Sequence, residues 1–187
     1  YNLNGQIIKV LGGPIFEHVP GSGNNLPLLT DDLIHEVSYQ GNLITAQNKY
    51  DLSETTSTIE YTVELGKLIN RKVKSYTYDY ETITNYQYEY TSNQIIEKKD
   101  GALYRTFYFT GENLTKVEQI LYDNQTGQIS GKIDITLSNY DSNENLLQGK
   151  YFVNGAFFKA FSKNNFRKFE KIQYNYIDGQ FVESGLI

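Results

Sequence analysis

The chain has no cysteine, no methionine and no tryptophan, and only three prolines in 187 residues. Without cysteine there is no disulfide framework, no thiol nucleophile and no thiolate-held metal. That absence alone does not fix the compartment. The two histidines, His18 and His35, leave little imidazole for acid–base work. No Gly-x-Ser-x-Gly elbow is present, and Gly21-Ser22-Gly23 falls short of one. Gly12-Gly13-Pro14 lacks the Lys-Ser/Thr pair of a phosphate loop. Asp141 to Asn145 opens like a calcium loop, but Leu146 and Phe152 stand where such a loop needs glycine and an acid. It reads as a solvated turn, as do Asp31-Asp32 and Asp123. No apolar run approaches the about 18 residues of a membrane-spanning helix. Positive charge is also short: 17 Lys and Arg face 22 Asp and Glu, for a net charge of −5. Such a chain has no global field to recruit nucleic acid or an anionic membrane. No catalytic residue, no metal and no cofactor is expected.

What is present is aromatic. There are 17 Tyr and 10 Phe, within 39% hydrophobic and 21% charged residues. That is enough apolar matter for a core. Aromatic and β-branched side chains suit a pleated, half-buried surface. Tyrosine closes a thin core while its hydroxyl stays wet. The composition therefore predicts an all-β chain with little or no helix.

The pattern along the chain predicts successive antiparallel strands. A first strand is expected at 6–11. Residues 12–30 hold Pro14, Pro20 and Pro27 with four glycines, and read as a long loop. Leu33 to Tyr39 alternates, Gln40-Gly41-Asn42 turns, and Leu43 to Tyr50 follows. A polar link is expected at 53–58, then an alternating strand from Ile59 to Leu65 and another from Leu68 to Ser75. Tyr76, Tyr78, Tyr80, Tyr86, Tyr88 and Tyr90 share one parity, with a break expected near Thr82-Ile83. Strands at 95–99, 103–109, 114–122 and 129–137 come next, the last with Ile129, Ile133, Ile135 and Leu137 on one side. Residues 139–145 are a polar loop. Asn154-Gly155 signals a type I′ hairpin between 146–153 and 156–161. A helical turn is expected within 162–171, and a closing hairpin at 172–184 around Asp178-Gly179. No linker divides the chain, so one domain, 1–187, is expected.

A unit repeats: aromatic-x-aromatic, a few turn residues, then Asn or Gln before an aliphatic or Phe. It appears as Tyr88-x-Tyr90 with Asn93-Gln94-Ile95, and as Phe107-x-Phe109 with Gly111-Glu112-Asn113-Leu114. Looser copies follow Tyr122 and Tyr140, and the last is Tyr174-x-Tyr176 with Asp178-Gly179-Gln180-Phe181. Each unit is about one hairpin, so neighbours must stack edge to edge to bury a continuous face. These units, with Phe161-Ser-Lys-Asn-Asn-Phe166, resemble the degenerate YD (RHS-type) repeats of β-rich lipoproteins and secreted proteins of Bacteroidetes, a family of unknown function. The spacing drifts and several units lack the Asp. The resemblance implies an exported, envelope-associated location and an antiparallel meander of hairpins forming a long, curved sheet. It carries over no catalytic residue.

Position 1 is Tyr and Met is absent, so the expectation is a trimmed or mature chain whose leader or lipid-attachment segment lies outside it. The leading expectation is a non-enzymatic, exported envelope or surface module, in the periplasm, on the outer membrane or at the cell surface. It binds a protein or glycan partner through a sheet face or edge. It takes no nucleic acid, and meets a membrane only through an anchor that this chain does not carry. The alternative is carbohydrate binding on exposed Tyr faces, with Tyr86, Tyr88, Tyr90, Tyr104 and Tyr108 as the candidate residues. A third is a small-ligand carrier, which needs an apolar-walled cavity. Lys150, Lys159, Lys163, Arg167, Lys168 and Lys171 form a local basic run with Glu170 the only acid among them. It reads as edge protection rather than a lipid or polysaccharide contact.

Overall fold

In the computed structural model of the chain, residues 2–11, 14–18, 25–29, 33–51, 54–77, 80–152 and 157–186 are described. The fold is all-β, as the composition predicts, and an antiparallel meander, as the resemblance implies. Its strands are β1 (Lys9–Leu11), β2 (Pro14–His18), β3 (Asn25–Leu29), β4 (Leu33–Gln40), β5 (Leu43–Asp51), β6 (Glu54–Glu64) and β7 (Lys67–Thr77). They continue as β8 (Tyr80–Tyr90), β9 (Gln94–Lys99), β10 (Ala102–Thr110), β11 (Asn113–Tyr122), β12 (Ile129–Ser138), β13 (Lys168–Ile177) and β14 (Gln180–Leu186). From β4 onward each strand pairs with the next in sequence, and β1 joins β4. Among the described residues the one helical element is a 3-10 turn, Lys159–Phe161, and no helix is long and apolar enough to cross a membrane. Contacts gather in two units, residues 1–64 with 71–84, and residues 65–70 with 85–187.

Turn chemistry explains the connections. Leu65-Gly66, Asp100-Gly101 and Asp178-Gly179 each join two strands through two residues of positive φ. That is the type I′ pattern, whose twist matches the strands it joins. Asp-Gly supplies it twice. Leu65 adopts φ 49° without that chemistry and is fully exposed.

In the first unit, β4, β5 and β6 pair with Val37 opposite Ala46 and Ala46 opposite Ile59. Val37, Ala46 and Tyr61 are its buried apolar residues among those described. The expected loop at 12–30 is corrected in part, because β2 and β3 form a two-stranded ribbon with Phe16 opposite Pro27. Both strands of such a ribbon are edges, where a missing N–H is tolerated. The expected polar link at 53–58 is also corrected. Residues 54–58 extend β6, in keeping with the strand preference of its β-branched threonines. The first strand is shorter than expected, at Lys9–Leu11.

In the second unit, an apolar row crosses the sheet in register: Tyr90, Ile95, Phe107, Val117 and Ile135. Ile95, Phe107, Val117 and Ile135 are all at most 5% exposed. Gly131 in β12 is held close to β13, where a Cβ would lie 2.3 Å from the Tyr174 carbonyl oxygen. The expected break near Thr82-Ile83 does not occur, since both lie inside β8 and the strand ends flank 78–79 instead.

Residues 139–167, between β12 and β13, decide the core of this unit. Among the described residues, 146–152 and 157–161 form no strands, against the hairpin expected at 146–153 and 156–161. Residues 146–149 and 151–152 are turns and 159–161 a 3-10 turn, and Asn154-Gly155 lies outside the described residues. The reason is where the aromatic rings go. Phe161 packs on Phe107 at 4.9 Å and on Tyr151 at 5.2 Å, and Phe157 and Phe158 approach Phe107 at 6.5 and 6.1 Å. Rings that cover the face of neighbouring strands leave their own backbone to satisfy itself locally. It does so through Gln148 N–H to Asn145 O (3.0 Å), Lys150 N–H to Leu147 O (2.9 Å) and Gly149 N–H to Ala160 O (2.9 Å). The helical turn expected within 162–171 is likewise corrected, because the 3-10 turn precedes it and Lys168 already begins β13.

Candidate functional site

The second unit carries a cleft of about 480 Å3. Three connections bring residues to it: β6–β7 (Gly66, Lys67), β8–β9 (Thr91 to Gln94) and β10–β11 (Gly111, Glu112). In a meander, alternate turns fall at the same end of the sheet, which is why these three converge. The segment between β12 and β13 closes the remaining side with Gln148, Gly149, Tyr151, Ala160 and Phe161. Tyr151 and Phe161 are buried. The rim residues Thr91, Ser92, Asn93 and Gln148 are exposed, and Gln94 is half-buried.

The walls are fixed by hydrogen bonds. The Tyr90 hydroxyl donates to Leu68 O at 2.9 Å, and the Tyr151 hydroxyl to Gly66 O at 3.2 Å. Burial is the main cause that pushes both phenols above their ordinary range. Lys67 Nζ lies 5.1 Å from the centre of the Tyr90 ring. Glu112 is ion-paired with Lys163, whose pKa is raised by that hydrogen bond and charge. Thr91 N–H donates to Gln94 O at 2.9 Å, and Phe109 N–H to Asn93 O at 3.0 Å.

The closing segment is itself tied down. Asn145, 3% exposed, donates its amide to Lys159 O (2.6 Å) and Ser162 O (2.8 Å) and accepts from Leu147 N–H (3.0 Å). Asn113 and Asn164 exchange bonds, from Asn113 Nδ2 to Asn164 Oδ1 (3.1 Å) and from Asn164 N–H to Asn113 Oδ1 (2.9 Å). Leu114 N–H donates to Ser162 Oγ at 3.1 Å, and the Tyr140 hydroxyl donates to Leu114 O.

The five candidate tyrosines do not form one platform. Tyr90 lines the cleft. Tyr88 is 4% exposed and donates to Glu97 Oε1 at 2.6 Å. Tyr86 and Tyr104 are half-buried, with ring centres 5.9 Å apart. Tyr108 points to the opposite face, where it pairs with Lys116 across β11. On that face Lys116 and Lys132 interleave with Glu118 and Asp134, at 2.9 Å for Lys116–Asp134 and Lys132–Glu118. Beside the aromatic row runs a polar one: Tyr88, Glu97, Arg105 and Gln119 stand opposite one another across β8 to β11. Arg105 reaches Glu97 Oε2 at 3.3 Å and Gln119 Oε1 at 2.8 Å.

His18 ends β2 and His35 lies in β4, and neither side chain is among those described. The Asp141 carboxylate accepts Asn143 N–H (3.2 Å) and Asn165 N–H (3.4 Å) and meets Arg167 (3.4 Å), which makes it a strap across its own loop. Among the described residues no three His, Asp or Glu gather to hold a metal. Three of the six cations of the basic run are met by acids: Lys163 by Glu112, Arg167 by Asp141, and Lys168 by Glu170 at 3.0 Å. Of the cleft residues, Tyr90 alone was a candidate from the sequence; Gln148 and Tyr151 are among those that sequence reading missed. Asn93-Gln94 was legible as part of the repeat, but Gln148 reaches the rim only through the fold of its segment.

No family model matches the chain, and no curated protein matches it. Among solved structures it is similar to the crystal structure of a porin-like protein from Bacteroides vulgatus. The identity is 14% over 95% of this chain and 89% of that one, with a TM-score of 0.39. At that level the site has to be read from its own chemistry.

Proposed function

We propose that the chain is a non-enzymatic binding module of the cell envelope or cell surface, and that its ligand sits in the cleft of the second unit. The observation that carries this reading is the cleft itself. Its volume is in the range of small-molecule sites, its floor is aromatic, and its rim is polar. Hydrogen bonds hold its walls in place, so little ordering accompanies binding. Its carboxylate, Glu112, is committed to Lys163, which leaves it poorly placed as an acid or base. The envelope location is supported by the resemblance of the Tyr-x-Tyr units to exported β-rich proteins.

The reading is checked by immobilising the full chain and probing it with envelope fractions and soluble envelope polymers. Retention that is weakened by changes at the cleft rim is expected. A hydrolytic turnover that disappears on substituting His35 would overturn the non-enzymatic assignment. A second reading places a glycan on the half-exposed Tyr86–Tyr104 pair. Its test is Tyr104→Ala, since Tyr88 is too buried for its substitution to report on binding alone.

A further inference from the structure

We infer that two copies of the chain associate by pairing β14 with β14 about a two-fold axis, an inference independent of the cleft. Among the described residues β14 has a neighbour on one side only. A free strand edge offers N–H and C=O groups at strand spacing, and another strand is what fits them. The other free edges are blunted. β1 has three residues, and β2 and β3 carry Pro14 and Pro27, which lack the N–H. β14 holds neither lysine nor proline. The basic run does not protect it, because Lys168 and Lys171 lie in β13, one strand further in.

The register of the β13–β14 hairpin decides which backbone groups face outward. Asp178-Gly179 is a two-residue turn, so Ile177 and Gln180 close it as a hydrogen-bonded pair. Bonded and non-bonded pairs then alternate. Val182, opposite Asn175, turns its backbone groups inward. Phe181, opposite Tyr176, and Glu183, opposite Tyr174, turn theirs outward. A two-fold axis through Val182 sets Phe181 of each copy against Glu183 of the other, so outward groups meet outward groups. About four backbone bonds result. The same axis sets Val182 against its own copy. An axis through Glu183 would instead set two carboxylates face to face, and one through Phe181 would bring Glu183 to the turn at Gly179. The side chains agree with the first choice. Phe181 is 38% and Val182 47% exposed, and the Tyr176 ring, 41% exposed, lies 5.0 Å from that of Phe181. Pairing covers this apolar surface. The register shift after Glu183 bends the strand beyond it and keeps the contact short. An interface of this symmetry closes at two copies and does not grow into a fibre.

The test follows the mass of the full chain by sedimentation velocity as its concentration is raised. A monomer–dimer equilibrium centred at roughly 100 µM is expected of so short an interface. Val182→Lys sets two ammonium groups against each other and is expected to weaken the dimer roughly tenfold or more. Its circular dichroism and melting temperature, measured on dilute monomer, should match those of the parent. Cross-linking reads the register, and the absence of cysteine makes it clean. Under mild oxidant, Val182→Cys is expected to give a disulfide-linked dimer roughly tenfold faster than Tyr80→Cys, a 78% exposed position on β8. Should Val182→Lys fail to fold, the Val182→Cys cross-link still decides. A chain that stays monomeric to about 1 mM overturns the inference. So does a dimer that a folded Val182→Lys leaves intact, growth beyond two copies, or cross-linking of Val182→Cys no faster than that of Tyr80→Cys.

Discussion

Glu97 is fully buried in β9, and a buried carboxylate is costly unless it is bonded and paired. Tyr88 and Arg105 meet that need because each stands opposite it on a neighbouring strand. Removing one partner leaves the carboxylate short. Arg105→Met is expected to lower the unfolding free energy by about 3 kcal/mol, and Tyr88→Phe by about 2 kcal/mol, in urea denaturation. Changes under about 0.5 kcal/mol would show that the row is not a stabilising unit. Three phenols give a second prediction at this scale. Burial raises Tyr90 and Tyr151, and pushes Tyr61 up to about 12, against a smaller opposing effect of Arg71. Above about pH 10 the unfolded chain has lost these protons while the folded chain still holds them. Their contribution is therefore complete below that pH and is lost as pH rises through the folded values. Phenolate absorbance should show a late-titrating class that becomes ordinary in denaturant. A single class near pH 10 in the folded protein would contradict the burial of these rings.

The segment between β12 and β13 is the element on which both core and cleft depend. Its knot is Asn145, whose amide joins three backbone groups across a turn. Asn145→Ala is expected to cost about 2 kcal/mol and to speed hydrogen exchange in residues 145–163 more than in β9 to β11. Uniform acceleration across the sheet would mean that the segment does not open as its own unit. The contact of β12 with β13 makes a separate prediction. An added Cβ at Gly131 meets backbone rather than a movable side chain, so the strands must part. Gly131→Ala is expected to destabilise by about 2 kcal/mol or more, with Gly131→Ser worse. At this scale the sequence was a mixed guide. Alternation in β12 was legible because Ile133, Ile135 and Leu137 share one face, on which Ile135 and Leu137 are buried, and the period is two. The aromatic stretch 151–161 was not, because rings that cap a sheet face and rings that sit in a hairpin have the same composition.

For the chain as a whole, charge sets which partners are excluded. The net charge is −5, and three cations of the C-terminal basic run are met by Glu112, Asp141 and Glu170. The full chain is expected to pass unretained over immobilised polyanion, and to ignore anionic vesicles, at physiological salt. Retention eluted by salt would show a basic surface that the ion pairs do not neutralise. By itself the sequence determined the all-β state, most strands outside 12–30, 53–58 and 139–167, and the two Asp-Gly turns, because strand period, aromatic preference and Asp-Gly chemistry act over a few residues. It also determined that no thiol chemistry is available. It could not determine which tyrosines are buried, which line a cleft and which lie on the far face. Parity places Tyr86, Tyr88 and Tyr90 on one side, but only the register with β9 and β10 and the covering of Phe161 and Tyr151 assign each a fate. The cleft was beyond it for the same reason: Gly66, Gln94, Glu112 and Gln148 are far apart in the chain, and pairing of the strands together with the return of one long connection brings them together.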